Sequence, residues 1–424
     1  MTQSSSDKKP LTIVFYTDFF HPSLEGVTAS VSLFADALRR LGHRVYVVAP
    51  APARKYHLDH PDVIRLPSMK SVWHKDMRDG IMTPRSAKYI KSLKADIYHF
   101  HTNGPTGLGG MRLMFDLHIP SVATYHTDYE QYSKVYPRLW AGLLTGSLIG
   151  PMIAKAPVHS WPESLSGMKP KRTFKEWNDN MIHNLIRVSY EFIEHVIVPS
   201  EKMARMLRSY GVSRPITILP TGINPSDFPT KKPRKTPSTT KHLLYVGRIA
   251  REKNIDVLIN MMKILSKKQQ KYHLTLVGPG PYLSATRQKI REAGLTTIID
   301  TPGGMPREQA YTYYAQADAF VFPSMTDTQA LVLNEAAYSC VPLLFSDKNI
   351  SIVAKHNVTG LCIRPTGKAY AEAVETLLIN REVASQYGKE AHRLAQSITI
   401  DRQAKQLARL YQEVIKEHYD HESA

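Results

Sequence analysis

Two doubly wound α/β domains, each built on a parallel sheet, are what this sequence predicts. Three observations carry that expectation. The chain has 424 residues, too many for one ordinary core. Short β-branched and aromatic runs alternate with helical stretches, the pattern of βαβ units. The composition breaks once, at Pro229 to Lys241, where no acidic or aliphatic residue occurs, and such a segment reads as an exposed linker. The expected division is a first domain at 1–227, a basic linker at 228–241, a second domain at 242–400 and a C-terminal helix at 401–424 that packs back on the first domain.

In the first half the strand candidates are 12–16, 44–48, 63–66, 96–100, 121–125, 195–198 and 216–219. Between the first two, Val31, Phe34, Ala35 and Leu38 recur at helical spacing over Ala29 to Leu41, and Gly42 stops the helix. The second half repeats the alternation, with strands expected at 243–246, 274–277, 297–299, 320–322, 342–345 and 361–363. Two similar sheets on a flexible linker suggest a cleft between domains. Past Asp401, the residues Leu407, Leu410, Tyr411, Val414 and Ile415 form a helical stripe that must be covered.

Hydrophobic residues make up 42% and charged residues 22%, which describes a folded globular chain. Lys and Arg number 55 against 37 Asp and Glu, a net charge of +18. That excess implies an anionic partner: nucleic acid, a phosphorylated ligand or an acidic membrane surface. Cys340 and Cys362 are the only cysteines, and both fall in apolar strand-like segments, so neither a disulfide framework nor a thiolate metal cage is expected. The N-terminal residues lack the apolar core of an export signal, which fits a cytosolic protein. No window is apolar enough to span a bilayer. The uncharged segment Leu139 to Ala154, containing Trp140, Leu143 and Leu144, comes nearest, and Lys169, Lys171, Arg172 and Lys175 follow it. It reads either as an interfacial membrane segment or as a buried helix of the first domain.

Four constellations carry chemistry. Asp327 and Glu335 stand eight residues apart across an expected strand-to-helix junction, so both carboxylates could face one ligand outside the carboxyl end of a strand. Arg248 and Lys253 follow the first strand of the second domain, beside a helix start, where two cations can hold a diphosphate. The turn Gly278-Pro279-Gly280-Pro281 permits close backbone approach to phosphate or sugar, although Leu283 at the third glycine position excludes the dinucleotide fingerprint. His99 and His101 share one face of a strand, but no third ligand is spaced to complete a metal site.

Taken together, Gly247-Arg248 with Lys253, Gly278 to Pro281, Gly303 to Glu308, Ala317 to Ser324 and Thr326 to Ala336 resemble the donor-binding half of the retaining glycosyltransferases of family four. Glu25-Gly26-Val27, Gly42 to Val45, Tyr98 to Thr102 and Pro220 to Phe228 extend the resemblance through the first half, so that it runs from about Thr12 to Pro365. It implies the GT-B fold, in which two Rossmann-like domains face each other across a cleft. It also implies that Arg248 and Lys253 bind the donor diphosphate, Glu335 the ribose hydroxyls and Asp327 the transferred sugar. Backbone groups of Gly247, Gly278, Gly280, Thr328, Gln329 and Ala330 would assist at donor phosphate and sugar, that of Met305 would read the base, and the Gly26 loop would touch the phosphates. His126 would lie beside the sugar. Asp327 stands where the family normally has Glu, and Cys340 where it usually has Gly, the latter suggesting a locally altered turn.

The stretch Thr124 to Tyr132 is most similar to enzymes that glucosylate diacylglycerol, with phosphatidylinositol mannosyltransferases as more distant relatives. The implied activity is retaining transfer of a hexose, glucose from UDP-glucose, to 1,2-diacylglycerol, by a peripheral protein on the inner face of the plasma membrane. Trp140, Leu143, Leu144 and the four cations after them would then meet lipid acceptor and anionic headgroups. No D-x-D pair occurs in the chain, so no metal cofactor is expected. Alternatives are another acceptor, a phosphatidylinositol-type lipid or soluble glycan, and a basic nucleic-acid-binding protein, for which no recognition motif is visible.

Overall fold

The computed structural model describes residues 9–23, 25–54, 60–71, 77–128, 130, 173–228 and 239–423. The chain divides into two compact units, one of residues 1–221 with 400–424 and the other of residues 222–399.

The first unit contains β1 (Thr12–Tyr16), α1 (Gly26–Arg40), β2 (Arg44–Pro50), β3 (Val63–Leu66), β4 (Ser68–Lys70), β5 (Arg78–Gly80), α2 (Pro84–Ser92), β6 (Ile97–Phe100), α3 (Pro105–Leu117) and β7 (Ser121–Thr124). After the residues left undescribed come α4 (Phe174–Glu191), β8 (His195–Val198), α5 (Glu201–Ser209) and β9 (Ile216–Ile218). Seven strands pair in parallel in the order β3-β2-β1-β6-β7-β8-β9. A sheet covered on both faces needs strands that are apolar on both, and Ile13, Val14, Phe15 and Tyr16 of β1 are all fully buried. The antiparallel ribbon β4–β5 was not anticipated. Its strands are three residues each and polar, too short for a period-two signal.

The second unit runs β10 (Thr240–Val246), α6 (Ile255–Leu265), β11 (Lys271–Val277), α7 (Leu283–Glu292), β12 (Ile299–Gly303), α8 (Arg307–Tyr314), β13 (Ala319–Phe322), α9 (Leu331–Tyr338), β14 (Leu343–Phe345), β15 (Gly360–Cys362), α10 (Gly367–Ile379) and α11 (Arg381–Gln396). Its six parallel strands follow the order β12-β11-β10-β13-β14-β15. Both sheets therefore reverse direction beside their first strand, between β1 and β6 and between β10 and β13. In open α/β sheets the strand ends at such a reversal are where ligands bind.

The last helix, α12 (Ile400–Glu422), belongs to the first unit. Ile400, Ala404, Leu407, Tyr411 and Val414 share a core with Val31, Phe34 and Leu38 of α1 and with Ile13 and Phe15 of β1. Arg40 and Asp401 pair at 2.7 Å across the same contact.

Two local expectations need correction. The strand expected at 297–299 begins instead at Ile299 and ends at Gly303, because Gly294, at φ 66°, turns the chain after α7 and Leu295 to Ile298 form the connection. Cys340 is not in a strand. It closes α9 in the left-handed conformation, φ 56°, with its N–H on the Ala337 carbonyl at 3.0 Å, the place a glycine fills without steric cost. The linker residues 229–238 and the expected membrane residues Trp140, Leu143, Leu144, Lys169, Lys171 and Arg172 lie outside the described residues, as does the side chain of Lys175. Among the described residues no helix is long and apolar enough to cross a membrane.

Candidate active site

The reversal in the second sheet brings together loops that are far apart in sequence. The chain leaves β10 through Gly247 and Arg248, forms a single tight turn at Arg251–Lys253 and enters α6. It leaves β13 through Pro323 and Ser324 and reaches Asp327 before α9. Lys253 Nζ donates to Asp327 Oδ1 at 2.7 Å, across 74 residues of sequence. Ser324 Oγ donates to Asp327 Oδ2, so the carboxylate is held on both oxygens. Asn254, in the left-handed conformation at φ 56°, donates its side-chain amide to the Pro323 carbonyl at 3.0 Å and ties the start of α6 to the end of β13. Arg248 pairs with Glu252 at 2.6 Å, and the buried Tyr245 hydroxyl donates to the Arg248 carbonyl at 3.0 Å. The two expected diphosphate cations thus stand on one loop, each held in place by a carboxylate.

Glu335 lies on α9, away from Asp327 in its contacts. It is 3% exposed. Oε1 accepts from Arg307 Nε at 2.7 Å and from the second guanidinium nitrogen, and Oε2 accepts from the Tyr314 hydroxyl at 2.7 Å. Both partners are on α8, so α8 and α9 are locked together through a buried charge. Burial raises the Tyr314 hydroxyl well above its ordinary pKa, and the Glu335 carboxylate raises it further. Sequence spacing held no sign of Arg307 or Tyr314 as partners, since they reach Glu335 from a separate helix, 28 and 21 residues away. Between the carboxylates, Ala330 takes φ 51° at the entrance to α9, and Thr328 and Gln329 precede it with Gln329 buried. Met305 is half-buried and packs on the second unit's core just before α8.

The glycine-proline turn after β11 also has a packing role that the sequence did not show. A Cβ on Gly278 would sit 1.9 Å from the Gly247 carbonyl oxygen, and one on Gly280 would sit 2.1 Å from that of Ile249. Ile249 N donates to the Pro279 carbonyl at 2.7 Å, and Tyr282 N to the Ile249 carbonyl at 3.0 Å. Here the close approach these glycines permit is to the Arg248 loop, whose backbone they fix.

In the first unit, His126 follows β7, beside the reversal. His101 Nδ1 lies 3.0 Å from His126 Nε2, and the two rings stack with centroids 5.3 Å apart. His101 stacks in turn on His99 at 4.0 Å. His99 Nδ1 contacts the Tyr411 hydroxyl of α12 at 2.6 Å, and its Nε2 contacts Thr124 Oγ1 at 2.7 Å. Burial pulls His126 down to about 4 and holds His99 and His101 well below the usual imidazole range, so all three are neutral at pH 7. Asp18, which the sequence did not single out, braces the same strand ends. Its Oδ2 accepts from Thr102 Oγ1 at 2.5 Å and Gly104 N at 3.0 Å, and its Oδ1 from Thr106 N at 2.8 Å at the start of α3. Gly26 is the first residue of α1, exposed, with open space around its α-carbon. Among the described residues no group of three or more His, Cys, Asp or Glu is arranged to hold a metal ion.

Comparison with known proteins identifies the class. Residues 24–227 match the family profile Glycosyltransferase Family 4, and residues 227–394 match Glycosyl transferases group 1. The chain belongs to this family of glycosyltransferases, nucleotide-sugar-dependent transferases with the GT-B fold. An alpha-monoglucosyldiacylglycerol synthase of Acholeplasma laidlawii is 27% identical over 79% of this chain and 80% of its own. Its counterpart in Streptococcus pneumoniae is 25% identical over 79% and 70%. A GDP-mannose-dependent alpha-mannosyltransferase of Corynebacterium glutamicum is also 25% identical, over 79% and 72%. Sucrose-phosphate synthase from Thermosynechococcus elongatus superposes with a TM-score of 0.69 at 20% identity, covering 96% of this chain and all of that one. Anabaena HepE in complex with UDP-glucose superposes at 0.67 and 15% identity, over 95% and 100%.

Proposed function

We propose that this glycosyltransferase moves glucose from UDP-glucose to 1,2-diacylglycerol, with retention of anomeric configuration, as a peripheral protein on the inner face of the plasma membrane. The observation that carries the donor half is the Lys253–Asp327 pair at the reversal of the second sheet, with Arg248 on the same loop. A nucleoside diphosphate gains negative charge as the glycosidic bond breaks. Two preorganised cations therefore stabilise the transition state more than the bound donor. In this reading Arg248 and Lys253 hold the diphosphate, Asp327 the sugar hydroxyls and Glu335 the ribose. Backbone N–H groups at Thr328, Gln329 and Ala330 face phosphate and sugar, and the Met305 backbone reads the base. Gly26 and His126 of the first domain are assigned to the phosphates and the transferred sugar. A donor phosphate oxygen takes the acceptor's proton, so His126 orients and polarises without becoming a covalent nucleophile.

The lipid half rests on the two monoglucosyldiacylglycerol synthases among the relatives and on the net charge of +18. Mannosyl transfer from GDP-mannose is the second reading, favoured by relatives of similar identity. A panel of UDP- and GDP-sugars against diacylglycerol, phosphatidylinositol and soluble glycans, resolved by thin-layer chromatography, separates them. Glucosyl-diacylglycerol as the main product supports the proposal, and a product formed only from GDP-mannose replaces it.

Two further results are expected. Turnover should be the same in EDTA as without it, because Arg248 and Lys253 do the work of a divalent ion; loss in EDTA restored by magnesium or manganese would contradict that. The protein should sediment with anionic vesicles, and reversing the charge of Lys169, Lys171 and Arg172 together should release it at moderate salt. Each cation near an anionic surface contributes on the order of 1 kcal/mol. If the parent stays in the supernatant when such vesicles are pelleted, the soluble-acceptor reading takes over.

A further inference from the structure

We infer that His101 fixes the tautomer of His126, so that His126 carries its proton on Nδ1 and its Nε2 is permanently an acceptor. His101 Nδ1 and His126 Nε2 are in contact at 3.0 Å. Both rings are neutral, so one nitrogen of the pair bears the hydrogen and the other does not. The far side of His101 decides which. Its Nε2 is buried and has no hydrogen-bond partner. If His126 donated, the His101 proton would have to sit on that Nε2, as a buried N–H with nothing to receive it. If His101 donates from Nδ1, Nε2 is a bare lone pair against apolar neighbours. An orphaned donor is the rarer and more costly of the two in folded proteins.

The surroundings of His101 enforce the choice. Its ring is 2% exposed, sandwiched between His99 at 4.0 Å and edge contact with Phe15 at 4.6 Å. His99 is itself pinned by hydroxyls at both nitrogens, Tyr411 from the last helix and Thr124 from β7. At 2% exposure His101 Nε2 is kept from water. Ring orientation thus passes from the C-terminal helix through His99 and His101 to His126.

The consequence bears on the proposed reaction and rests on the reading that His126 lies beside the transferred sugar. With Nε2 committed as an acceptor to His101, His126 carries its hydrogen on Nδ1. Its Nε2 therefore does not take a proton from a bound hydroxyl. His101 touches no substrate in this scheme. It is a positioning residue.

The test uses the full-length protein with ring-15N histidine and long-range proton–nitrogen correlation, the His101 and His126 spin systems being assigned through their backbone. In the parent, His126 should show a protonated Nδ1 and an unprotonated Nε2, and His101 the same pattern. An Nε2-protonated His126 overturns the inference whatever the activity is. His101→Leu should lower kcat about tenfold with little change in the donor KM and give His126 a mixture of tautomers. His101→Asn, whose amide N–H falls near the position of Nδ1–H, should restore the single tautomer and most of the turnover. If Asn restores neither, His101 only fills space. The reading of His126 itself is tested apart, by His126→Ala. If that variant keeps full turnover while the parent shows the expected tautomer, the assignment of His126 to the sugar fails and the tautomer lock stands.

Discussion

Lys253→Ala is expected to lower turnover about a hundredfold or more while the protein remains folded. Lys253 sits at the end of the Arg251–Lys253 turn with its ammonium 2.7 Å from Asp327 Oδ1. Removing one preorganised group that faces developing negative charge costs about 3 kcal/mol in transition-state stabilisation, and each 1.4 kcal/mol is a factor of ten. The variant also removes a partner of Asp327, the residue assigned to the sugar, so both diphosphate and sugar are affected. The stability cost is limited, because the Asp327 carboxylate keeps the Ser324 hydroxyl as a donor and is in part accessible to water. Lys253→Arg should fall between, since guanidinium keeps the charge but not the compact geometry. Steady-state kinetics at saturating donor, with circular dichroism to show that the fold persists, check this. Turnover near that of the parent would remove Lys253 from the site.

The domain pattern was legible because parallel strands buried on both faces must be apolar, as Ile13 to Tyr16 are: 12–16 is a strand at the bounds its sequence suggests. Which strands are neighbours was not legible. Nothing local in Val246 or Phe322 says that β10 pairs with β13, yet that pairing creates the reversal where Arg248, Lys253 and Asp327 meet. The glycines of the Gly278–Pro281 turn were visible, but the Cβ clash that makes them necessary is with Gly247 and Ile249, thirty-one residues earlier in each case. Asp327 and Glu335 were read as one acidic pair facing one ligand. In the structure the first is held by Lys253 and the second by Arg307 and Tyr314, through contacts that depend on tertiary packing alone. His101 was weighed as a metal ligand and set aside for want of a third ligand, and its contact with His126 was not legible, because it depends on the register between adjacent strands.

Arg307→Ala is expected to destabilise the second domain by about 3 kcal/mol or more. Glu335 is 3% exposed, and Arg307 is the cation that meets it. Breaking a buried pair from one side leaves an uncompensated charge, which costs about 3–5 kcal/mol, more than the net value of the pair itself. The Tyr314 hydroxyl remains as a donor at 2.7 Å, which places the effect toward the lower end. For a domain of this size, about 3 kcal/mol corresponds to a fall in melting temperature of roughly 6–12 °C. The decisive comparison is with Glu335→Gln made in the Arg307→Ala background. Once the carboxylate is neutral, the stranded charge disappears, so the double variant should melt well above Arg307→Ala alone. The donor KM should behave differently. It should rise in Arg307→Ala, because Glu335 is no longer held for the ribose, and it should not recover in the double variant, because an amide presents one acceptor oxygen and a donor NH2 where a carboxylate presents two acceptor oxygens to the ribose hydroxyls. Thermal melts and donor titrations on the same three proteins separate the two roles. A melting temperature for Arg307→Ala within about a degree of the parent would mean that the pair contributes too little for this account of α8 and α9 to stand.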